Sequence, residues 1–177
     1  TVVEANDRFA ITLANPSAGA SLGTASANGI ILNDDTNSLS IAAASANKPE
    51  GSGGGTTPFT FTVARTATSG TQTVNWAVAG ATGSGTAPAD AADFGGAFPS
   101  GTVTFLAGVA TQTVTVNVAR DALGELNDRF AVTLSGASGG TPIAAATATG
   151  IIQNDDISVA VGPTSQSRAE GHSGTTV

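Results

Sequence analysis

An all-β fold, a seven-stranded antiparallel β-sandwich in tandem repeats, follows from three features of this 177-residue sequence. Short runs alternate apolar and polar residues, the period of strands with one face in a core and one in water. Valine and threonine dominate those runs, and 23 Gly and 7 Pro divide them, a composition that favours strands and turns over helices. A block of sequence also recurs at a fixed spacing, the mark of a repeat architecture.

The repeat sets the boundaries. Glu4-Ala5-Asn6-Asp7-Arg8-Phe9-Ala10-Ile11-Thr12-Leu13 returns as Glu125-Leu126-Asn127-Asp128-Arg129-Phe130-Ala131-Val132-Thr133-Leu134, and Gly29-Ile30-Ile31-Leu32-Asn33-Asp34-Asp35 returns as Gly150-Ile151-Ile152-Gln153-Asn154-Asp155-Asp156, both 121 residues on. A second pair follows at a spacing of 120: Ser38-Leu39-Ser40-Ile41 leading to Glu50-Gly51, and Ser158-Val159-Ala160-Val161 leading to Glu170-Gly171. The chain is therefore expected to hold the last part of one repeat (1–35), a complete repeat (36–156) and the first part of a third (157–177), cut from a tandem array. With no initiator Met and no charged-then-apolar leader, it reads as an internal segment of a longer protein. Both flanks lack the stretch from Phe59 to about Asp121, so joining them would not rebuild a repeat, and they are expected to order only when the missing strands are supplied.

Within 36–156 the strands fall in order. Leu39 and Ile41 open the series; Phe59, Phe61 and Val63 alternate with Thr60 and Thr62, and Val74, Trp76 and Val78 with Thr73 and Asn75. Val103-Phe105, Val114-Val116-Val118 and Phe130-Val132-Leu134 continue it, and a last strand is predicted from about Ile143 to Ile152. Seven short strands separated by Gly, Pro, Ser and Asp turns make the pattern of an immunoglobulin-like sandwich. The chain has no Cys, so the core is expected to be held by packing around Trp76 and the phenylalanines.

Composition excludes several function classes. Without Cys, disulfides, thiolate metal sites and a cysteine nucleophile are absent. The net charge of −7, from 13 acidic residues against six scattered cations, leaves nothing to neutralise a run of phosphates, so no nucleic acid partner is expected. No stretch approaches the ~18 apolar residues of a transmembrane helix. The single His, His172, offers no Ser-His-Asp arrangement, and Asp90 and Asp93 sit among Ala and Gly with nothing to split their pKa values. The chain is expected not to be an enzyme.

The motifs together resemble the Calx-beta domain family. They are Glu50-Gly51; Asp93-Phe94 ahead of Gly101-Thr102-Val103-Thr104-Phe105; the run from Leu106 to Val116; the acidic loop before Arg129 to Leu134; and the Gly-Ile-Ile-x-Asn-Asp-Asp closings at 29–35 and 150–156. The resemblance implies a two-sheet sandwich, found in sodium–calcium exchangers and integrin subunits and, in tandem arrays, in large secreted bacterial surface and adhesion proteins. Repetition and a lysine-poor composition favour the last setting, which places the chain outside the cell or on its surface.

A Ca2+ site is the first candidate for chemistry. Ca2+ takes six to eight hard oxygens, and the repeat gathers Glu50, Asp90, Asp93, Asp121, Glu125, Asp155 and Asp156 into its loops. The resemblance implies an ion at one end of the sandwich, with Glu50, Asp93 and Asp121 at the family's ligand positions. The family's run of consecutive Asp is broken here by Arg120 and Ala122, and Ser100 stands where a further acid is expected. Arg120 could put a cation where calcium would go, and the acids could equally be solvated loop charges. Asn154-Asp155-Asp156 is read as a turn closed on its own backbone, or as ligands of an ion bridging two repeats. Lys48 raises a cross-link to Asn154, which Arg168 at the equivalent position could not make. The outward rows Thr60 and Thr62, Thr102 and Thr104, and Thr111, Thr113 and Thr115 suit the wet face of strands.

The leading expectation is thus a structural and adhesive module, one link of a long extracellular array or filament. Its partners would be neighbouring repeats, a cell-surface or matrix surface, or further copies assembling through edge strands. The alternative is a calcium-dependent binding or sensing module.

Overall fold

The computed structural model describes residues 6–34 and 36–156. Its first element is a hairpin of β1 (Asp7–Thr12) and β2 (Ser26–Ile31), paired antiparallel with Phe9 opposite Gly29. The sandwich then begins with β3 (Leu39–Ser45) and β4 (Asn47–Pro49), continues through β5 (Thr56–Arg65), β6 (Gln72–Gly80), the short β7 (Ala87–Pro88) and a 3-10 turn at Ala92–Phe94, and adds β8 (Ser100–Phe105) and β9 (Thr111–Ala119). β10 (Asp128–Ser135), β11 (Ile143–Ala145) and β12 (Thr147–Gln153) close it.

One sheet runs β4-β12-β10-β6-β8, with β7 added beside β10, and the other β11-β3-β5-β9. The seven predicted strands are all present as β3, β5, β6, β8, β9, β10 and β12, and they pair antiparallel wherever they meet. Three short segments depart from that plan, because β4 joins β12, β7 joins β10 and β11 joins β3 in parallel. The strand predicted from Ile143 to Ile152 is two strands in different sheets, broken at Ala146. β3 and β4 change sheets at buried Ala46 in the same way. Alanine at both crossings lets the backbone step between the layers, where a larger side chain would need its own pocket.

Alternation puts Leu39, Ile41, Phe59, Phe61, Val63, Val74, Val78, Val103, Phe105, Val114, Val116, Val118, Phe130, Val132 and Leu134 between the sheets, all under a tenth exposed. Of the expected Trp76 and phenylalanines, the phenylalanines form the hub, centred on Phe130. The rings of Phe59, Phe61 and Phe94 meet Phe130 edge to face at centroid distances of 5.7, 5.8 and 5.4 Å, the arrangement ring quadrupoles prefer. Trp76 packs half-buried at the border of the core, against Gly101. Gly150 lies opposite Phe130, and a Cβ there would run into the ring.

Arg65 is buried at the end of β5, its Nε donating to the Val109 carbonyl (2.7 Å), Nη1 to that of Gly70 (3.1 Å) and Nη2 to those of Thr68 (3.1 Å) and Leu106 (2.6 Å). It ties the β5–β6 and β8–β9 loops together over the face of Phe105. Among the described residues, nothing comparable covers the β1–β2 hairpin. Phe9, Ile11, Leu13 and Ile31 are 48–61% exposed. The flanking segment 157–177, with its matched Ser158-Val159-Ala160-Val161, Arg168, Glu170-Gly171 and His172, lies outside the described residues, as do Glu4 and Asp35.

Candidate metal centre

The sites of the predicted acids converge at one end of the sandwich. Glu50 follows β4, Asp93 sits in the 3-10 turn, Asp121 follows β9, Glu125 precedes β10, and Asp155 and Asp156 follow β12. The antiparallel plan with its parallel β4 brings these chain ends to the same rim.

Glu50 is the centre of the group. Its side chain is 1% exposed, placed by a backbone held at both its N–H and its carbonyl. Its N–H donates to the Gln153 carbonyl at 3.3 Å, and its own carbonyl accepts from the Thr57 hydroxyl, which in turn accepts from Arg120 Nε at 2.8 Å. The next residue turns the chain at φ +88°, a conformation suited to Gly51. Glu50 Oε1 is buried and has no hydrogen-bond partner. Burial first, then the charges of Asp121, Glu125, Asp93 and Asp155, push its carboxyl up to about 7.

Two oxygen triads share this residue. Carboxylate oxygens of Glu50, Asp93 and Glu125 lie within 4.8 Å of one another, and so do those of Glu50, Asp121 and Asp156. Asp156 Oδ2 is a second buried oxygen without a partner. Asp93 accepts from the Asp90 N–H at 2.6 Å, while Asp90 accepts from Ala92 and Asp121 from Leu123, so each loop acid is oriented by its own backbone. Asp155 Oδ1 accepts from the Gly51 N–H at 3.1 Å, tying the chain after β12 to the chain after β4. Asp90, Asp93, Asp121, Glu125 and Asp128 line a cleft of about 400 Å³.

Electrostatic frustration extends through the group. Burial raises the carboxyls of Asp93 and Glu125; for Asp93 the hydrogen bond from Asp90 works against that rise, and neighbouring acids add to it in both. Asp128, a residue the sequence reading left out of the ligand set, is pushed up to about 6 by burial and then by Asp93 and Asp90. Its signal was present in the acidic loop ahead of Arg129, but only the return of β10 to the rim places it beside Asp93.

The seven predicted positions therefore separate. Glu50, Asp93, Asp121, Glu125 and Asp156 form the two triads; Asp155 and Asp90 stand beside them on backbone hydrogen bonds. Arg120 does not need the ion's place to satisfy itself, since its Nε is bonded to Thr57. Ser100 is in β8, paired with Ala77, away from the triads. Asn154 does close a turn, its Oδ1 accepting from the Asp156 N–H at 3.1 Å and its Nδ2 donating to the Glu125 carbonyl at 2.9 Å. That turn and ligation are compatible, because it aims Asp156 at Glu50. Lys48 bonds Ser45 and lies over the Phe59 ring, apart from the bonds Asn154 makes.

The residues fit a hard divalent cation. Buried Glu50, with its orphaned oxygen, stands among half-buried and exposed carboxylates that repel it, and the triads supply only oxygen, the donor that Ca2+ takes and that softer metals do not need.

Comparison with known proteins bears on the fold and the family. Among solved structures, the apo form of the Calx CBD1 domain matches with a TM-score of 0.54 and 23% identity, covering 69% of this chain and all of that one. The calcium binding domain CBD12 of CALX1.1 matches with a TM-score of 0.51 and 25% identity, and CBD12 from CALX1.2 with 0.53 and 23%; they cover 66% and 67% of this chain and 44% of each of those chains. No curated protein matches the chain. The family described as the Calx-beta domain matches residues 1–36 and 48–156, a span that includes the hairpin, the strands β5 to β12 and every acid of the two triads, and the chain therefore belongs to the Calx-beta family.

Proposed function

We propose that residues 36–156 form a non-catalytic module that binds Ca2+ at the carboxylate rim of the sandwich. The observation that carries this reading is Glu50, a side chain 1% exposed whose Oε1 has no partner and whose carboxyl is raised by the negative charges of Asp121, Glu125, Asp93 and Asp155. Glu50, Asp93, Asp121, Glu125 and Asp156 would hold the ion, with Asp155, Asp90 and Asp128 adding negative charge around it. Bound calcium would supply the positive charge that the rim lacks and cross-link the chain after β4, β9 and β12 to the loop before β10. The cleft presents carboxylates without a nucleophile or imidazole, which supports a binding role over catalysis.

The test is the melting temperature of the chain in excess chelator and in about 1 mM Ca2+. A site with a dissociation constant near 10 μM adds ~2.7 kcal/mol at that concentration, a rise of roughly 10 °C for a domain of this size. An unchanged melting temperature overturns the reading.

We further propose that this module serves as one link of an extracellular array. What supports it is repetition: the β1–β2 hairpin reproduces the register of β10–β12, with Asp7 opposite Ile31 as Asp128 is opposite Ile152. Electron microscopy of the parent protein should show a rod lengthening by at least ~20 to 30 Å per repeat, from strands of six to nine residues at ~3.4 Å each; a compact cluster of repeats speaks against it.

A further inference from the structure

The chain enters and leaves the sandwich at opposite ends. It enters beside Arg65, which is level with Leu39. There the Ser38 N–H donates to the Thr66 hydroxyl at 2.9 Å, the Thr66 N–H to the Ser38 carbonyl at 3.0 Å and the Leu39 N–H to the Pro142 carbonyl at 3.0 Å. It leaves past Gln153 at the carboxylate rim, where Glu50 ends the run that began at Leu39. Tension between neighbouring links of an array therefore draws β3 and β4 toward the entry end and β12 toward the rim.

β4 and β12 are neighbours, and they run the same way. They pair in parallel, with Asn47 level with Ile151, Lys48 with Ile152 and Pro49 with Gln153. Tension on the two ends slides one strand along the other, so the evenly spaced bonds of a parallel pair are loaded together and none opens ahead of the rest. Further bonds span the same two segments. The Ile151 N–H donates to the Ala46 carbonyl at 2.7 Å, the Glu50 N–H to the Gln153 carbonyl at 3.3 Å, Gln153 Nε2 to Asn47 Oδ1 at 2.9 Å, and the Gly51 N–H to Asp155 Oδ1 at 3.1 Å. The β1–β2 hairpin has the opposite geometry: its ends, Asp7 and Ile31, are Cα partners, so the same tension opens its bonds one at a time.

The rim closes the same pair. Glu50 follows β4, Asp156 follows β12, and their carboxylate oxygens share a triad with Asp121. Sliding moves Glu50 and Asp156 apart across that triad, so an ion held by both is released before the strands separate.

We propose that the sandwich is a force-bearing module whose clamp is the parallel β4–β12 pair, and that an ion bound by Glu50 and Asp156 locks this clamp. The source of the tension rests on the array reading and the lock on the metal reading; the clamp itself is tested in chelator, apart from both.

Forced unfolding is read as a rate. The full chain is held by its two ends at constant force, and unfolding of the sandwich lengthens it by roughly 350 Å, residues 39–153 at ~3.5 Å each less the length of the folded module. Two variants in chelator decide the clamp. Asn47→Ala with Gln153→Ala removes one bond across the pair and should speed unfolding under force ~3- to 10-fold. Val103→Ala opens a cavity beneath β8, at the far edge of the sheet from β4. It should lower the melting temperature by several degrees and change the rate under force by less than about twofold. An unchanged rate in the double variant overturns the clamp. So does a Val103→Ala protein that unfolds faster under force than the double variant, because resistance would then follow overall stability and not the loaded pair.

The lock is read on the same chain in about 1 mM Ca2+. With a dissociation constant near 10 μM, release of the ion ahead of separation should slow forced unfolding ~100-fold, and Asp156→Asn should abolish the slowing. A melting temperature raised by Ca2+ with no slowing under force overturns the lock and leaves the metal site standing. No change in either removes the lock together with the metal site, and the comparison in chelator still decides the clamp.

Discussion

Replacing Glu50 by Gln separates the cost of the rim's charge from its use. Ionised Glu50 is held at about 7 in the fold against an ordinary 4.5, a penalty of about 3 kcal/mol at ~1.4 kcal/mol per pH unit. The sign follows from proton linkage. The folded state holds its proton more tightly than the unfolded chain, so this contribution to stability is fully present below 4.5 and is lost as pH rises through about 7. Gln removes the charge at nearly constant shape, and its amide can donate to the surrounding carboxylates. Setting ~1 kcal/mol for imperfect hydrogen bonding of a buried amide against the gain, Glu50→Gln should stabilise the metal-free protein at pH 8 by about 2 kcal/mol. That is a rise of roughly 8 °C in melting temperature. At pH 4, where wild-type Glu50 is itself protonated, the gain should vanish. In about 1 mM Ca2+ the order should narrow or reverse, because only the wild type retains the full ligand set. Calorimetry at both pH values, with chelator and with Ca2+, reads all four conditions. A variant less stable than wild type in chelator at pH 8, with an undiminished calcium effect, would refute both the strain at Glu50 and its role as ligand.

Asp128, raised from 3.8 to about 6, should act in the same sense over a lower window: stability of the metal-free protein falls as pH climbs through about 6, and Asp128→Asn should flatten that part of the profile in urea titrations. The two copied hairpins predict unequal responses to one substitution. Gly150→Ala forces a methyl into the buried Phe130 ring and should cost ~1–3 kcal/mol, whereas Gly29→Ala, whose Phe9 ring is 48% exposed and can swing away, should stay within ~0.5 kcal/mol; equal costs by chemical denaturation would contradict the difference in packing. Arg65→Met leaves four loop carbonyls without their common donor and should lower stability by at least ~3 kcal/mol, with Arg65→Lys recovering little because one ammonium cannot span all four. An Arg65→Met protein as stable as wild type in urea would show that these bonds add nothing net.

How far sequence reaches is clearest in single elements. Strict alternation at 59–63, 74–78, 114–118 and 130–134 names both the strands and the side that faces inward, because a period of two leaves no other assignment for the valines and phenylalanines. The acids could be read as a group since Ca2+ chemistry needs many oxygens and these sit in loops. Their grouping into triads was not legible, nor was Asp128, because Glu50 and Asp156 meet only through the parallel pairing of β4 with β12. The break at Ala146 was hidden for a related reason: apolar and small residues run on through 143–152 without a turn signal, and the change of sheet is a property of the layers.

Sequence by itself determined the all-β class, the strand faces, the 121-residue spacing and the family, all of which depend on local periodicity and on motif spacing along the chain. Tertiary structure alone decided that Phe130 is the hub among the phenylalanines while Trp76 sits at the border of the core, that Glu50 is buried with an orphaned oxygen, and that, among the described residues, one of two matching hairpins is covered while the other is exposed. Burial and repulsion among carboxylates are set by distances through space, and residues as far apart as Glu50 and Asp156 acquire those distances only when the sheets pack.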